Sequence, residues 1–225
     1  MREPLSRARV LAAAVARADA DGIDAVSMRS LAQELGVVPM AIYKHVAGKD
    51  ALLDGMVDLV VGEIPPPERG RWRAVLRTRI LAAREAMLRH PWAPQVLESR
   101  TTPTPVVLGY LDSSIGILLD GGLSPDLAHH VMHALGSRIL GFSQELYPTP
   151  PGVAMPPEVA AQLAAAFPNV VAVATSRAHD PGSVVGPGCD DQFEFEFGVD
   201  LLLGGVERLH RARWTSERTA PPARR

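Results

Sequence analysis

Apolar side chains recur along most of this chain at i, i+3, i+4 and i+7, the period of an amphipathic helix. Val10, Leu11, Ala14, Val15 and Ala18 share one face of a helix predicted over 6–21, with Arg7, Arg9 and Arg17 off that face. Asp21-Gly22 ends it, because glycine admits the backbone geometry of a helix C-terminus. Ser27 stands in an N-cap position, and Met28, Leu31, Ala32 and Leu35 then repeat as a second helix over 28–35. Gly36 interrupts that run. A short third helix starts near Pro39, a residue the first helical turn tolerates, carries Ile42, Tyr43 and Val46, and is over by Gly48. A fourth helix spans 50–63, with Leu52, Leu53, Met56, Leu59 and Val60 facing inward.

Pro65-Pro66-Pro67 cannot continue a helix, so the chain hinges there. The hinge separates an N-terminal module over 1–64 from a larger helical body over 71–213. The body's pattern predicts helices over 71–90, 105–119, 127–147 and 192–213, with a short one ending at 99 after the break at His90-Pro91-Trp92-Ala93-Pro94. A further helical stretch over 158–174 is interrupted by Pro168. Residues 148–157 hold five prolines and one glycine and must be loop, 177–190 are expected to be mobile, and 214–225 are expected to be disordered. Phe193 to Phe197 alternates like a strand, but Val199, Leu201, Leu202, Leu203 and Val206 continue it at helical spacing. The predicted fold is all-α.

A hydrophobic fraction of 47% over 225 residues is enough to bury a core, and a formal net charge of −2 means that any nucleic-acid binding must be local. The one cysteine, Cys189, excludes an intrachain disulfide and a zinc site built from cysteines. No signal peptide is visible, and no apolar run approaches the ~18–20 residues of a membrane span, so a cytoplasmic protein is expected. There is no Gly-x-Ser-x-Gly, phosphate loop or dinucleotide fingerprint. No catalytic residue, enzyme activity or cofactor is therefore expected.

Helix, glycine turn and short helix is the helix-turn-helix arrangement, whose second helix lies in the major groove with its N-terminal residues at base edges. On that helix Met40 and Ala41 can touch a thymine methyl, Lys44 and His45 can donate hydrogen bonds, and the Tyr43 hydroxyl can reach a phosphate. Lys49 opens the next helix, where its ammonium and the helix N-terminus both suit a phosphate. Residues 1–50 hold seven Lys/Arg against six Asp/Glu, so charge alone does not decide, but no acid lies between Val37 and Gly48. The same residues also fit a module that contacts protein beside a small-molecule-binding body. Specific, salt-dependent binding to a palindromic duplex separates the two readings.

Residues 22–56 closely resemble the DNA-binding region of TetR-family regulators. The resemblance is carried by Ser27, Leu31-Ala32, Leu35-Gly36-Val37, Tyr43, His45, Lys49 and Leu52-Leu53, in order. His45-Val46 and the run from Lys49 to Asp54 are most similar to the tetracycline-repressor branch. The resemblance implies that base and phosphate contacts fall on Arg29, Val38, Pro39, Met40, Ala41, Tyr43, Lys44, His45 and Lys49. It implies a homodimeric repressor that binds double-stranded operator DNA and leaves it when a small-molecule effector binds. Residues 193–209 resemble the dimerisation helix of that branch, whereas 71–176 match it in helical layout only, so tetracycline itself is not carried over.

A ligand pocket is expected among the helices of the body. Met87, Trp92, Leu97, Tyr110, Ile117, His133, Phe142 and Tyr147 form a mix that suits an apolar or aromatic effector. His129 and His133 stand at i, i+4, but no third ligand is evident and no metal site is expected. A dimer interface is expected on the helix over 127–147 and on the last helix, through Phe195, Val199, Leu202, Val206 and Leu209.

Overall fold

The computed structural model describes residues 4–141, 156–174 and 190–219, and every regular element among them is helical. The first is α1 (Arg7–Asp21), capped by Ser6, whose Oγ accepts from the Arg9 amide at 3.2 Å. It closes at Gly22 with φ +83°, a conformation that suits glycine. A 3-10 turn (Ile23–Ala25) leads to α2 (Met28–Leu35). Ser27 and Ser30 form a reciprocal capping box there, each hydroxyl accepting the other's amide at 3.0 Å. Gly36, left-handed at φ +67°, turns the chain into α3 (Pro39–Tyr43). That helix ends at Tyr43, short of the Val46 that the pattern places on it, because Lys44 and His45 already belong to the turn before α4 (Lys49–Gly62).

Beyond the prolines run α5 (Trp72–Arg89), α6 (Ala93–Ser99), α7 (Pro105–Asp120) and α8 (Pro125–Gly141). They are followed by α9 (Pro157–Ala166), α10 (Pro168–Ala174) and α11 (Asp191–Arg211). Pro168 splits the predicted helix over 158–174 into α9 and α10, as a residue lacking an amide donor must. The mobile segment expected at 177–190, including Cys189, lies outside the described residues apart from Asp190, which caps α11 by accepting from the Phe193 amide.

The chain hinges at the prolines, but its hydrophobic core does not part there. Val10, Leu11 and Ala14 of α1, Leu31 of α2, Ile42 of α3 and Met56 and Val60 of α4 pack in one cluster with Ala86 and Met87 of α5 and Trp92, Ala93 and Val96 around α6. A second cluster joins Leu76 and Ile80 of α5, Leu118 of α7, Leu127, Val131 and Leu135 of α8, and Phe195, Val199, Leu203 and Val206 of α11. Helix α4 thus belongs to the N-terminal module by sequence and to both halves by packing. Gly55 lets it cross α1 closely, since a Cβ there would fall 2.7 Å from Leu11 Cδ2.

Residues 214–219 depart from the disorder expected over 214–225, and 220–225 lie outside the described residues. Trp214 packs against the second cluster with its ring 5.4 Å from that of His130. The Ser216 amide and hydroxyl donate to Asp126 at 2.7 and 2.8 Å, and 216–219 form a 3-10 turn. A polar composition predicts disorder only where no partner is supplied, and α8 supplies one.

Candidate DNA-reading face and ligand cavity

The short helix α3 is held by its apolar side. Ile42 is 0% exposed and Val46 is buried beside it, both in the cluster built on α1, α2 and α4. Burying an isoleucine contributes about 1.5–3 kcal/mol, which suffices to fix a helix too short to stand alone. The opposite side is open. Val38 is 68% and Met40 69% exposed, and Pro39, Tyr43 and Lys44 are exposed with them, while Ala41 and His45 are half-buried.

Arg29 on α2 and Lys49 at the start of α4 are also exposed, and among the described residues neither they nor Lys44 have an ion-pair partner. Elsewhere arginines are engaged: Arg17 with Glu34, Arg73 with Glu207, Arg77 with Glu196 and Asp200, and Arg89 with Glu63. All nine residues implied as DNA contacts therefore lie on or beside one stretch, seven of them exposed and two half-buried. The arrangement offers free cations for phosphates around an apolar centre for base edges.

The other end of α4 meets a cavity of about 280 Å³. Its walls come from Val61 and Ile64 at the end of α4, from α5 (Leu76, Ile80, Ala83, Met87), from α7 (Val107, Tyr110, Leu111, Ser114) and from α8 (Met132, Leu135, Gly136, Ile139). Leu97 and Glu98 of α6 complete the lining. Beneath the Tyr110 and Ser114 wall lies Arg79, a buried guanidinium that donates to Ser114 Oγ (3.0 Å), Ser113 Oγ (2.6 Å) and the Pro65 carbonyl (2.8 Å). It also lies 4.5 Å from the centroid of the Tyr110 ring. Burial pushes the Arg79 pKa down and the Tyr110 phenol up, each favouring the neutral form.

Three expected pocket residues, Met87, Leu97 and Tyr110, line this cavity, and three do not. Trp92 turns toward α1, where its indole Nε1 donates to Asp19 Oδ1 at 2.6 Å. Ile117 is buried in the second core cluster, one turn beyond the cavity-lining face of α7. His133 is exposed on α8 and borders a separate shallow groove with His129, the two rings 4.6 Å apart. Phe142 and Tyr147 lie outside the described residues. Among the described residues no group of three or more His, Cys, Asp or Glu could hold a metal.

Two sets of contacts hold the body against the reading head and α4, and neither follows from the helical pattern. The α6–α7 connection grips an acidic stripe on α4: Arg100 pairs with Asp50 (2.9 Å) and Asp54 (2.8 Å), and the Thr104 hydroxyl donates to Asp58. At the α5–α6 corner His90 is 7% exposed, with Nδ1 2.8 Å from Asp19 on α1 and Nε2 3.1 Å from Glu63 at the end of α4. The i, i+4, i+8 spacing of Asp50, Asp54 and Asp58 was the legible signal for the first set. The second joins residues 71 apart in sequence and has no local signature.

The structure places the five residues expected at a dimer interface on two sides of α11. Phe195, Val199 and Val206 face the chain's own core and Leu202 is half-buried against it, leaving Leu209 alone of the five exposed. The strongest apolar stripe of a helix goes to the nearest apolar surface, which here is intramolecular. What α11 leaves open is the next stripe, with Phe197 52% and Leu201 59% exposed.

A helix-turn-helix head whose third helix is solvent-facing, joined by one shared helix to a body with an internal apolar cavity, defines the class of one-component transcription regulators. Residues 10–56 match the family model for bacterial regulatory proteins of the tetR family, and residues 64–210 match that for the tetracyclin repressor-like C-terminal domain. The chain belongs to the TetR family, which comprises non-enzymatic, DNA-binding transcription regulators. It is 28% identical to the tetracycline repressor protein class G of Vibrio anguillarum over 92% of this chain and 96% of that one. It is 34% identical to the HTH-type transcriptional repressor DrrR1 of Streptomyces coeruleorubidus over 62% of its own length, a match that spans about half (53%) of that relative. Among solved structures, Streptomyces coelicolor ActR in complex with actinorhodin superimposes with a TM-score of 0.69 at 30% identity, covering 92% of this chain and 98% of that one.

Proposed function

We propose that this protein is a homodimeric transcriptional repressor that occupies a palindromic operator through α3 and is released from it by an apolar or aromatic effector bound in the body cavity. One observation carries the reading. The same helix, α4, begins beside the reading face at Lys49 and ends at the cavity, which Val61 and, just past the helix end, Ile64 line. Arg29, Lys44 and Lys49 anchor phosphates, Tyr43 and His45 orient the head, and Val38 to Ala41 meet the bases. The dimer forms through the stripe of Phe197 and Leu201 together with α8, and its two heads must stand ~34–36 Å apart to enter successive major grooves.

An effector that fits the cavity better when the two heads are badly spaced lowers DNA affinity by the same factor that DNA lowers effector affinity. The lining is almost wholly apolar, which sets the chemical class of effector. No helix among the described residues is long and apolar enough to cross a membrane, and a repressor acts where DNA lies, in the cytoplasm. The test is a mobility shift and footprint on the DNA upstream of the protein's own gene, with Tyr43→Ala alongside. A two-fold-symmetric footprint that the variant loses supports the reading. Absence of specific binding there and in a random-sequence selection overturns it.

A further inference from the structure

Val38 and Met40 are the two most exposed large apolar side chains among the described residues. They stand at the N-cap and second position of α3, the end of a reading helix that meets base edges. An isolated exposed apolar residue needs no explanation, but two of them at the start of α3, with the exposed cations Arg29 on α2, Lys44 just after α3 and Lys49 at the start of α4, do. Neither side chain carries a donor, and the only acceptor between them is the weak thioether sulfur of Met40. Pressed against a purine N7 or an exocyclic amino group, each would strip water from a polar atom without replacing its hydrogen bond. The C5-methyl of thymine is the one major-groove feature of unmodified DNA that an apolar side chain complements. Ala41 is half-buried and has only a Cβ to offer, so its reach is shorter.

We propose that Val38 and Met40 read thymine methyl groups, so that each operator half-site carries thymine at two positions within about two base steps of each other, recognised by methyl contact rather than by hydrogen bonding. The spacing follows from ~3.8 Å per Cα step against ~3.4 Å of rise per base pair. Valine, stiff at χ1, fixes one methyl position narrowly, whereas methionine adapts to the second. The inference rests on the DNA-binding function proposed above and specifies the chemistry of its partner.

The experiment starts from a duplex selected from random sequence by the full-length protein, at one salt concentration throughout. Each thymine is then replaced by deoxyuridine, which removes the methyl and leaves every hydrogen-bonding group in place. Loss of one buried methyl weakens binding about fourfold, and symmetric replacement in both half-sites about sixteenfold. Two positions per half-site are expected to behave so. Met40→Ala is expected to abolish the uracil penalty at one of them and Val38→Ala at the other, with thermal stability unchanged because both side chains are exposed.

Uniform tolerance of uracil, or penalties that persist in both variants, would overturn the inference while leaving DNA binding intact. Failure to select any duplex would overturn it together with the function on which it rests.

Discussion

Truncation of His90 tests how the body holds the reading head. The imidazole is inserted between α1 and α4, with its ring nitrogens 2.8 and 3.1 Å from Asp19 and Glu63. His90→Ala removes both contacts with carboxylates. Hydrogen bonds to charged groups contribute about 1.5–3 kcal/mol each. The lower end applies, because Asp19 keeps its bond from Trp92 and Glu63 keeps Arg89, and both retain some water. With both ring nitrogens donating, as the imidazolium does between two carboxylates, the expected loss is about 3 kcal/mol. For a chain of this size that lowers Tm by about 6–12 °C. Far-UV circular dichroism at one fixed protein concentration measures it, since dimerisation makes Tm concentration-dependent. Arg89→Met, which removes the exposed pairs with Glu63 at 2.6 Å and Glu85 at 3.3 Å, is the control and should shift Tm by no more than a few degrees. A His90→Ala shift as small as that of the control would refute the view that the α5–α6 corner secures the head.

Gly55→Val places atoms where Leu11 Cδ2 and Arg7 Nη2 lie 2.7 and 2.9 Å from the new Cβ, so it should destabilise by about 1–3 kcal/mol and weaken DNA binding; an unchanged Tm would mean that α1 and α4 separate without cost. Leu201→Glu should yield a folded monomer that no longer binds its operator, whereas Val206→Glu, in the chain's own core, should fail to fold; analytical ultracentrifugation with circular dichroism separates the outcomes. Burial pushes the Glu63 carboxyl up, but hydrogen bonds from Arg89 and His90 outweigh it and hold the pKa below 4.5. A lowered folded-state pKa stabilises above the ordinary value and ceases to do so as pH falls through the folded one. Acid denaturation below about pH 4.5 should therefore be shallower in Glu63→Gln than in the wild type, read from Tm across a pH series, and identical slopes would contradict it.

The reading head was legible because its signals are local. Ser27, Gly36 and Pro39 act within a few residues of themselves, and α1 to α4 bury or half-bury the residues whose period marks them as apolar, except Leu59, which was expected to face inward and is 40% exposed. The cavity was half legible. Val107, Tyr110, Leu111 and Ser114 share one face of α7, yet periodicity does not distinguish a wall left open from one packed shut, as Ile117 shows by lying in the core. The open stripe of α11 was illegible for a related reason: Phe195 and Phe197 look alike in the sequence, and only the folded chain reveals which stripe it has already covered. His90, Asp19 and Glu63 meet across three elements, so nothing local announced them.

Gly136 offers the most direct test of coupling between cavity and head. It lines the cavity, and a Cβ at that position meets nothing within 4 Å, so Gly136→Leu introduces an apolar group where an effector would sit. The decisive measurement is the operator Kd of this variant against wild type, with dimerisation and Tm checked in parallel. Coupling through α4 predicts a folded dimer whose operator affinity falls at least about fivefold, the low end of typical allosteric coupling. A folded dimer with unchanged operator affinity would contradict it.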